Sequence, residues 1–322
     1  MNNQKYIGAL FVMVMLLSHS YIATAEEGSD INSAITTMME KMRSKQEPNE
    51  LSEAQLKSTD PNIILSILTP YEKSPFDMVK RTAYRQEFRL AHLQPSLEVR
   101  QEVVKRFVKE LTDPNSNINP YPYECLLKFK AADFNSSTKA LIRLSLDKKG
   151  RKGELVRLVG VANIIEEQPR LGKLLIDELA YQAEADKTGE RKWYLTLGWS
   201  ARLALARTGV EENIDRCVSL IEQEIDKAID ESKNFRLFDD LGYIRQPAAI
   251  ESLRKYLMRD ERFRGTNPGM FGEPISNYAN DILAASLANY PIKRREDRIY
   301  KQEEIELCRK WMSEQKEWKI IR

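Results

Sequence analysis

Apolar and polar residues follow each other along most of the chain with the period of an α-helix. One apolar stripe has spacings of three, four, seven and eleven residues: Ile214, Cys217, Val218, Ile221 and Ile225. A second stripe has similar spacing: Leu97, Val103, Val104, Phe107, Val108 and Leu111. Strict alternation of apolar and polar residues, which is typical of half-buried strands, is almost absent. The pattern therefore predicts an all-α fold.

Proline marks the expected helix starts. It occurs in five such dipeptides: Asp60-Pro61, Ser74-Pro75, Gln94-Pro95, Gln246-Pro247 and Glu273-Pro274. Proline is tolerated in a first helical turn because the N–H that it lacks has no intrahelical partner there. Ser74 and Asp77 also have the spacing of a capping box. Helices joined by short polar turns favour antiparallel pairs.

The apolar stripes repeat along the chain. Residues 205–221 align with residues 241–257 at a constant offset of 36 positions, so that Leu205 matches Leu241 and Cys217 matches Leu253. Residues 161–179 align with the first of these segments at an offset of 43, which places Ala162 on Leu205. A period of this size made of two helices is typical of an α-solenoid.

The segment "LGYIRQPAAIESLRKYLMRDERF", which begins at Leu241, resembles a HEAT-like repeat of the short bacterial type found in bilin-lyase-related proteins. "ISNYANDILAASL", from Ile275, resembles the small-residue helix that follows in that type. The resemblance implies an α-solenoid of HEAT-like helical pairs, a right-handed superhelix, over residues 59–322. Residues 26–58 are expected to form a helical or mobile N-terminal segment.

Tetratricopeptide repeats are the alternative repeat class. The segment "WYLTLGW", which begins at Trp193, has the right residue types for them. That motif places Gly four positions after Trp, whereas Gly198 follows Trp193 by five. The spacing therefore favours HEAT-like repeats.

Residues 1–25 have the pattern of a secretory signal peptide. Lys5 precedes an apolar run from Ile7 to Leu17, and Ala23-Thr24-Ala25 has the small residues of a cleavage site. The run is well short of the ~20 apolar residues that a membrane span needs, which disfavours the alternative of an uncleaved anchor. The pattern predicts an exported protein of the periplasm or the extracellular space.

The composition excludes several function classes. Removal of residues 1–25 takes away one of the 50 basic residues and none of the 48 acidic ones, so the net charge is near +1 and predicts no nucleic-acid partner. One histidine, His92, is left, so a His-based triad or His-rich metal site is not expected. No phosphate-binding glycine motif is present, and no cofactor, metal-ligating or catalytic residue is assigned.

The three cysteines, Cys125, Cys217 and Cys308, are widely separated along the chain. Cys217 and Cys308 lie within apolar helical stripes, so we expect buried small side chains. A single long-range disulfide is the alternative, because an exported chain meets an oxidising compartment.

A loop of about twelve residues, ending at Pro274, is longer than a solenoid turn requires, and long loops are often functional. Its candidate partner-binding residues are Arg264, Asn267, Met270 and Phe271. In the alternative, Met270 and Phe271 pack back onto the adjacent helices.

Solenoids bury a continuous core and present long surfaces to partners. The sequence therefore predicts an exported, non-enzymatic scaffold or adaptor that binds a protein or peptide. The alternative is an α/α-barrel-like enzyme or ligand-binding protein that acts on an envelope or extracellular polysaccharide or peptide. That alternative needs inward-facing carboxylates, for which Asp239, Asp240 and Glu273 are the candidates. Pigment attachment, which the bilin-lyase resemblance suggests, is at odds with export.

Overall fold

The computed structural model describes residues 30–113, 120–147, 152–175, 196–228, 236–264, 271–295, 298–315 and 317–322. The predicted signal peptide, residues 1–25, lies outside these ranges. The chain divides into two compact units, Met1–Cys125 and Leu126–Arg322. The boundary between residues 58 and 59 inferred from the sequence stays a prediction.

The N-terminal unit is built from helices. Helix α1 spans residues 30–43. It is followed by α2 (Glu53–Ser58), α3 (Pro61–Glu72), α4 (Asp77–Leu93) and α5 (Leu97–Thr112), and α6 (Tyr121–Leu126) reaches the boundary between the units. Helix α4 packs against α2, α3 and α5, which places it at the centre of this unit.

The starts of these helices follow local capping chemistry. Helix α3 begins at Pro61, as predicted, and Oδ1 of Asp60 accepts a hydrogen bond from the Asn62 N–H at 2.8 Å. The capping box predicted for α4 is wrong, because α4 begins at Asp77. Ser74 Oγ instead accepts from the Phe76 N–H at 3.2 Å, within the turn before the helix.

The C-terminal unit is also helical, apart from one short hairpin. Its helices are α7 (Ser136–Ser145), α8 (Lys152–Val161), α9 (168–175), α10 (Leu197–Arg207), α11 (Glu211–Ala228), α12 (Arg236–Ile244), α13 (Pro247–Leu257), α14 (Ile275–Ser286) and α15 (Gln302–Glu314). Strands β1 (Arg262–Arg264) and β2 (Phe271–Pro274) form the hairpin. The all-α class is therefore confirmed. None of the described helices is long and apolar enough to cross a membrane.

Helix boundaries in this unit repeat at the predicted offset of 36 residues. Helix α11 begins at Glu211 and α13 at Pro247. The residues that end the preceding helices, Gly209 and Arg245, are separated by the same number and have left-handed φ angles of 92° and 53°. After α10, the Val210 N–H donates to the Leu205 carbonyl at 3.0 Å, as in a Schellman motif.

The earlier alignment, at an offset of 43, holds for the starts of α9, at residue 168, and α11, at Glu211, but is three residues short at the helix end before them. Asn163 follows α8 with a φ of 52° and therefore corresponds to Gly209, 46 positions later. The Ile164 N–H donates to the Val159 carbonyl at 3.0 Å, which is the same helix-ending geometry. The three extra residues are the 3-10 turn Ile165–Glu167 between α8 and α9, which the apolar stripe of either helix could not reveal.

Candidate partner-binding hairpin

The segment predicted as a long loop after α13 has the structure of an antiparallel hairpin. Arg262 pairs with Pro274 and Arg264 pairs with Phe271, with an irregularity between the two pairs. The Ile275 N–H donates to the Glu261 carbonyl at 3.0 Å and continues the pairing toward α14. The prediction of a loop is wrong for these flanks, because strands of three and four residues are too short to show an alternating pattern.

The four candidate partner-binding residues lie in or between these strands. The backbones of Arg264 and Phe271 are opposite each other in the hairpin. Their side chains, and the whole of Asn267 and Met270, lie outside the described residues. The structure therefore brings together two of the four positions, and the exposure of their side chains stays a prediction.

Arg309 of α15 fixes the base of the hairpin. Its Nε donates to the Leu257 carbonyl at 2.8 Å, and its Nη2 donates to the Arg259 carbonyl at 3.0 Å and to Asp260 Oδ1 at 2.7 Å. The last carbonyls of a helix have no intrahelical partner, so a guanidinium group at this position stabilises the end of α13. The side chain of Arg309 is 14% exposed, which strengthens these bonds relative to those of a free surface arginine.

Arg259 holds the other side of the hairpin base. Its Nη1 lies 2.7 Å from Asp226 Oδ1 of α11, and its guanidinium group stacks over the Tyr256 ring at 5.3 Å. It also donates to the Glu261 carboxylate, and this hydrogen bond lowers the pKa of Glu261. Side chains from α11, α13 and α15 thus fix the position from which the hairpin extends.

A second feature, the aspartate–arginine cluster, consists of Asp239, Asp240, Asp281, Arg294 and Arg298. Asp281 of α14 is fully buried, and its Oδ2 accepts from Arg294 Nε at 3.0 Å. Arg298 Nε lies 3.4 Å from the same oxygen. Asp240 of α12 is also fully buried. Both buried carboxylates therefore have guanidinium partners, since Asp240 pairs with an arginine of α8.

Asp239 is the exposed carboxylate of this cluster. Its side chain is 46% exposed, and Arg298 Nη2 lies 3.3 Å from its Oδ1. The surrounding protein raises the pKa of Asp239, chiefly by desolvation and also through Asp240 and Asp281, while Arg298 and Arg294 oppose the rise. The Asp239 carboxylate therefore has both negatively and positively charged groups around it.

The cluster bears on the carboxylates that the sequence singled out. Asp239 and Asp240 lie together, as neighbours on α12, but the third member of the cluster is Asp281, which sequence reasoning missed. The side chain of Glu273 lies outside the described residues. The available signal for Asp281 was a set of polar residues, Asn277, Asn280 and Asp281, within a helix that otherwise has small, aromatic and apolar residues.

The arrangement favours a structural role for the buried carboxylates. Both oxygens of Asp240 and both oxygens of Asp281 accept hydrogen bonds from protein side chains, so neither carboxylate is open to a substrate. Groups of acidic, histidine and cysteine residues that could hold a metal ion are absent from the described part of the chain. Asp239 is thus the accessible carboxylate that an enzymatic alternative would have to use within this cluster.

All three cysteines are buried, and no disulfide joins them. Burial raises the pKa of the Cys217 thiol, and it raises the pKa of the Cys308 thiol to about 11. A thiol with a raised pKa forms little of the reactive thiolate at neutral pH. The prediction of buried small side chains for Cys217 and Cys308 is confirmed.

A buried carboxyl pair lies in the N-terminal unit. Arg106 Nη1 of α5 lies 3.1 Å from Glu87 Oε1 and 3.0 Å from Glu72 Oε1. It also donates to Thr69 Oγ1 at 2.8 Å. Glu87 is fully buried, and its pKa is raised well above the usual value by desolvation first and by Glu72 second, against the effect of Arg106.

A cavity of about 390 Å³ lies beside α1, also in the N-terminal unit. Met38 and Leu51 contribute apolar lining, and Lys41 and Glu50 contribute charge. Glu50 is already paired with Arg85 at 2.9 Å, so its charge is compensated within the protein. The lining of the cavity is part polar and part apolar. The described contacts of its lining residues show no acid and base placed for catalysis.

Comparisons with known proteins return no relative: no protein-family model, no curated protein and no solved structure matches the chain. Function must therefore be argued from the residues and their geometry.

Proposed function

We propose that this chain is an exported, non-enzymatic scaffold or adaptor of bacterial origin, built from HEAT-like helical pairs, which binds a protein or peptide partner. In this proposal the pairs stack as a right-handed α-solenoid, and the partner contact is the hairpin with Arg264, Asn267, Met270 and Phe271.

The recurrence of one helical pair carries the proposal. The second helices of the two pairs, α11 and α13, begin 36 residues apart, at Glu211 and Pro247, and the left-handed residues that precede them, Gly209 and Arg245, have the same separation. Stacked helical pairs gain stability from nearest neighbours and present extended surfaces rather than a closed reaction chamber. A repeat of this kind supports a binding function.

The hairpin is the point at which this pattern is interrupted. It lies between α13 and α14, two helices that pack against each other, and the side chains of Arg309 and Arg259 fix its base. Variable elements presented by a rigid scaffold are where binding residues concentrate. This supports the hairpin as the partner contact.

The pairing of the buried carboxylates supports a non-enzymatic role. Glycoside hydrolysis needs two carboxyl groups facing a substrate, one of which exchanges protons. Asp281 is instead held by Arg294 and Tyr300, at 3.0 Å each. The α/α-barrel-like enzyme or ligand-binding alternative rests on Asp239, and substitution of that residue separates the two functions.

Site-specific photo-crosslinking tests the proposal. The mature protein carries a photoreactive phenylalanine analogue at position 271 and is irradiated in the envelope fraction of its native host. We expect one discrete protein adduct, suppressed by excess unlabelled protein. The matched control carries the analogue at position 144, where Leu144 of α7 is 71% exposed, and gives no such adduct.

Two results would contradict the proposal. One is an identical set of adducts from positions 271 and 144, which indicates contact without specificity. The other is hydrolysis of a cell-wall glycan or peptide by the purified protein that is abolished by Asp239→Asn, which would establish the enzymatic alternative.

A further inference from the structure

The cavity beside α1 is an elongated cleft that follows one face of this helix. Six residues of α1 line it: Asp30, Ser33, Ala34, Thr37, Met38 and Lys41. Residues with these spacings, of three, four, seven, eight and eleven positions, lie on one helix face. Since a helix rises about 1.5 Å per residue, this face is roughly 16 Å long. The remaining lining comes from residues 49–51 and from Gln55 of α2.

Lys41 supplies a positive charge to one end of the cleft. Its side chain is half-buried, and its ammonium group forms no ion pair or hydrogen bond with another residue that the structure describes. Glu50 lines the same cleft but is already paired with Arg85 at 2.9 Å and with Arg89 at 3.1 Å. Lys41 is therefore available to an acidic group of a ligand.

The rest of the lining combines an apolar base with neutral hydrogen-bonding groups. Met38 and Leu51 are 1% and 2% exposed, and they form the apolar part. The neutral polar part consists of hydroxyl and amide side chains, those of Ser33, Thr37, Asn49 and Gln55. Small-ligand sites typically have such a mixed lining and a volume of ~300–1,000 Å³, and the cleft, at about 390 Å³, lies within that range.

We propose that this cleft binds the carboxyl-terminal end of a short extended peptide, with the peptide carboxylate at Lys41. An ammonium group and a carboxylate form a strong charge-assisted hydrogen bond. Amide and hydroxyl side chains both donate and accept, as the N–H and C=O groups of a peptide require. An extended chain spans about 3.3 Å per residue, so the cleft takes about four residues.

Asp30 sets the direction of the peptide. It is exposed at the opposite end of the same helix face, eleven residues before Lys41. A carboxylate there repels the carboxyl end of the peptide, so that end is bound at Lys41. The cleft lies in the N-terminal unit and the hairpin in the C-terminal unit, so this site does not depend on the proposed function.

Isothermal titration calorimetry of the full chain with the tetrapeptide Ala-Ala-Ala-Leu at low ionic strength tests the site. We expect the peptide to bind, and its carboxyl-terminal amide to bind at least tenfold more weakly. Lys41→Gln should weaken binding of the free acid at least tenfold and remove the difference between acid and amide. Loss of that difference reports the contact of Lys41 with the carboxylate, because a general loss of structure would weaken both peptides alike.

Two further variants complete the test. Lys45→Gln is the matched control, since Lys45 is exposed, lies just after α1 and does not line the cleft, and its removal should leave binding unchanged. Thr37→Trp should block the acid and the amide alike, because Thr37 is an exposed lining residue and a larger side chain there fills the cleft.

The amino-terminally acetylated tetrapeptide distinguishes the source of the ligand. Weaker binding of the acetylated form assigns the cleft to a free peptide, whose ammonium group lies toward Asp30, and equal binding assigns it to the end of a longer chain. Either result supports the site.

Three results would overturn the inference. The first is the absence of tetrapeptide binding to the wild type, and the second is equal affinity for the acid and the amide. The third is binding of galacturonate as tight as that of the tetrapeptide, which would assign the cleft to acidic sugars. Should Lys41→Gln fail to fold, Thr37→Trp decides, since it leaves Lys41 in place and must still abolish binding.

Discussion

Arg157 and Asp240 form a buried ion pair between α8 and α12, with Nη1 2.7 Å from Oδ1 and side chains 8% and 1% exposed. The other oxygen of Asp240 accepts from Trp199 Nε1 of α10 at 2.8 Å. The Asp240 carboxylate therefore links α12 to α10 and α8, through Trp199 and Arg157, which are 41 and 83 positions away in the sequence. The pair is a tertiary contact of the kind that sequence periodicity does not reveal.

Removal of one partner of this pair should strongly destabilise the C-terminal unit. Asp240→Asn leaves the Arg157 guanidinium group buried without its counter-charge, which typically costs ~3–5 kcal/mol. Urea unfolding followed by tryptophan fluorescence measures the effect, since all four tryptophans lie in this unit. Glu251→Gln, in the exposed pair with Arg254, is the control and should cost less than ~1 kcal/mol. Equal effects of the two substitutions would contradict a buried ion pair.

Gly160 of α8 should not tolerate a larger side chain. A Cβ at this position would lie 3.0 Å from Ala204 Cα of α10 and would clash with the Tyr243 hydroxyl. Because the Ala204 backbone cannot yield as a side chain can, we expect Gly160→Ala to destabilise the unit by ~1–3 kcal/mol.

Gly172→Ala provides the control for this substitution. A Cβ at Gly172 meets nothing within 4 Å, so alanine there should stabilise α9 by up to ~1 kcal/mol through its higher helix propensity. Thermal unfolding of both variants checks the pair of predictions. A shift of the same sign in both would show that close packing of α8 on α10 does not determine the outcome.

Glu87 should make the stability of the N-terminal unit fall as pH rises. Its folded-state pKa is raised above the usual 4.5, so the folded state binds more protons than the unfolded state between these two values. Stability is therefore greatest below about pH 4.5 and is lost as pH rises through the folded-state pKa. Glu87→Gln, which cannot ionise, should gain stability relative to the wild type as pH increases from 5 to 8.

Hydrogen exchange of α4 peptides measures this effect within the N-terminal unit, which contains no tryptophan. Glu53→Gln is the control, because Glu53 is exposed and forms a surface pair with Lys57 at 3.1 Å. A stability difference between Glu87→Gln and wild type that shrinks with rising pH would mean that Arg106 keeps Glu87 ionised.

Arg309→Leu should loosen the hairpin without unfolding the unit. The substitution removes the donors to the Leu257 and Arg259 carbonyls and to Asp260, so the base of β1 loses its support. We expect faster hydrogen exchange at residues 262–264 and 271–275 and weaker crosslinking from position 271. Lys310→Ala, at a neighbouring side chain that is 75% exposed, is the control and should change neither. Unchanged exchange in Arg309→Leu would contradict a fixed hairpin base.

Local patterns predicted the helices well where the information is contained in neighbouring residues. The stripe of Cys217, Ile221 and Ile225 is buried on α11, and Pro61 and Pro247 begin α3 and α13. These features depend on side-chain spacing and on the missing N–H of proline, both of which can be read from the sequence. The candidate site was predicted only as a position, between α13 and α14.

The tertiary structure decided what depends on distant residues. The pairing of β1 with β2, the support of the hairpin by Arg309 and the meeting of Asp281 with Asp239 involve segments that the periodicity of any one helix cannot relate. Arg245 shows the same division: the sequence alone determined the 36-residue repeat that aligns it with Gly209. Only the folded chain placed its guanidinium group against the carbonyls of Ala285 and Ile321, 40 and 76 positions away, because contacts between distant segments depend on how the helices pack in space.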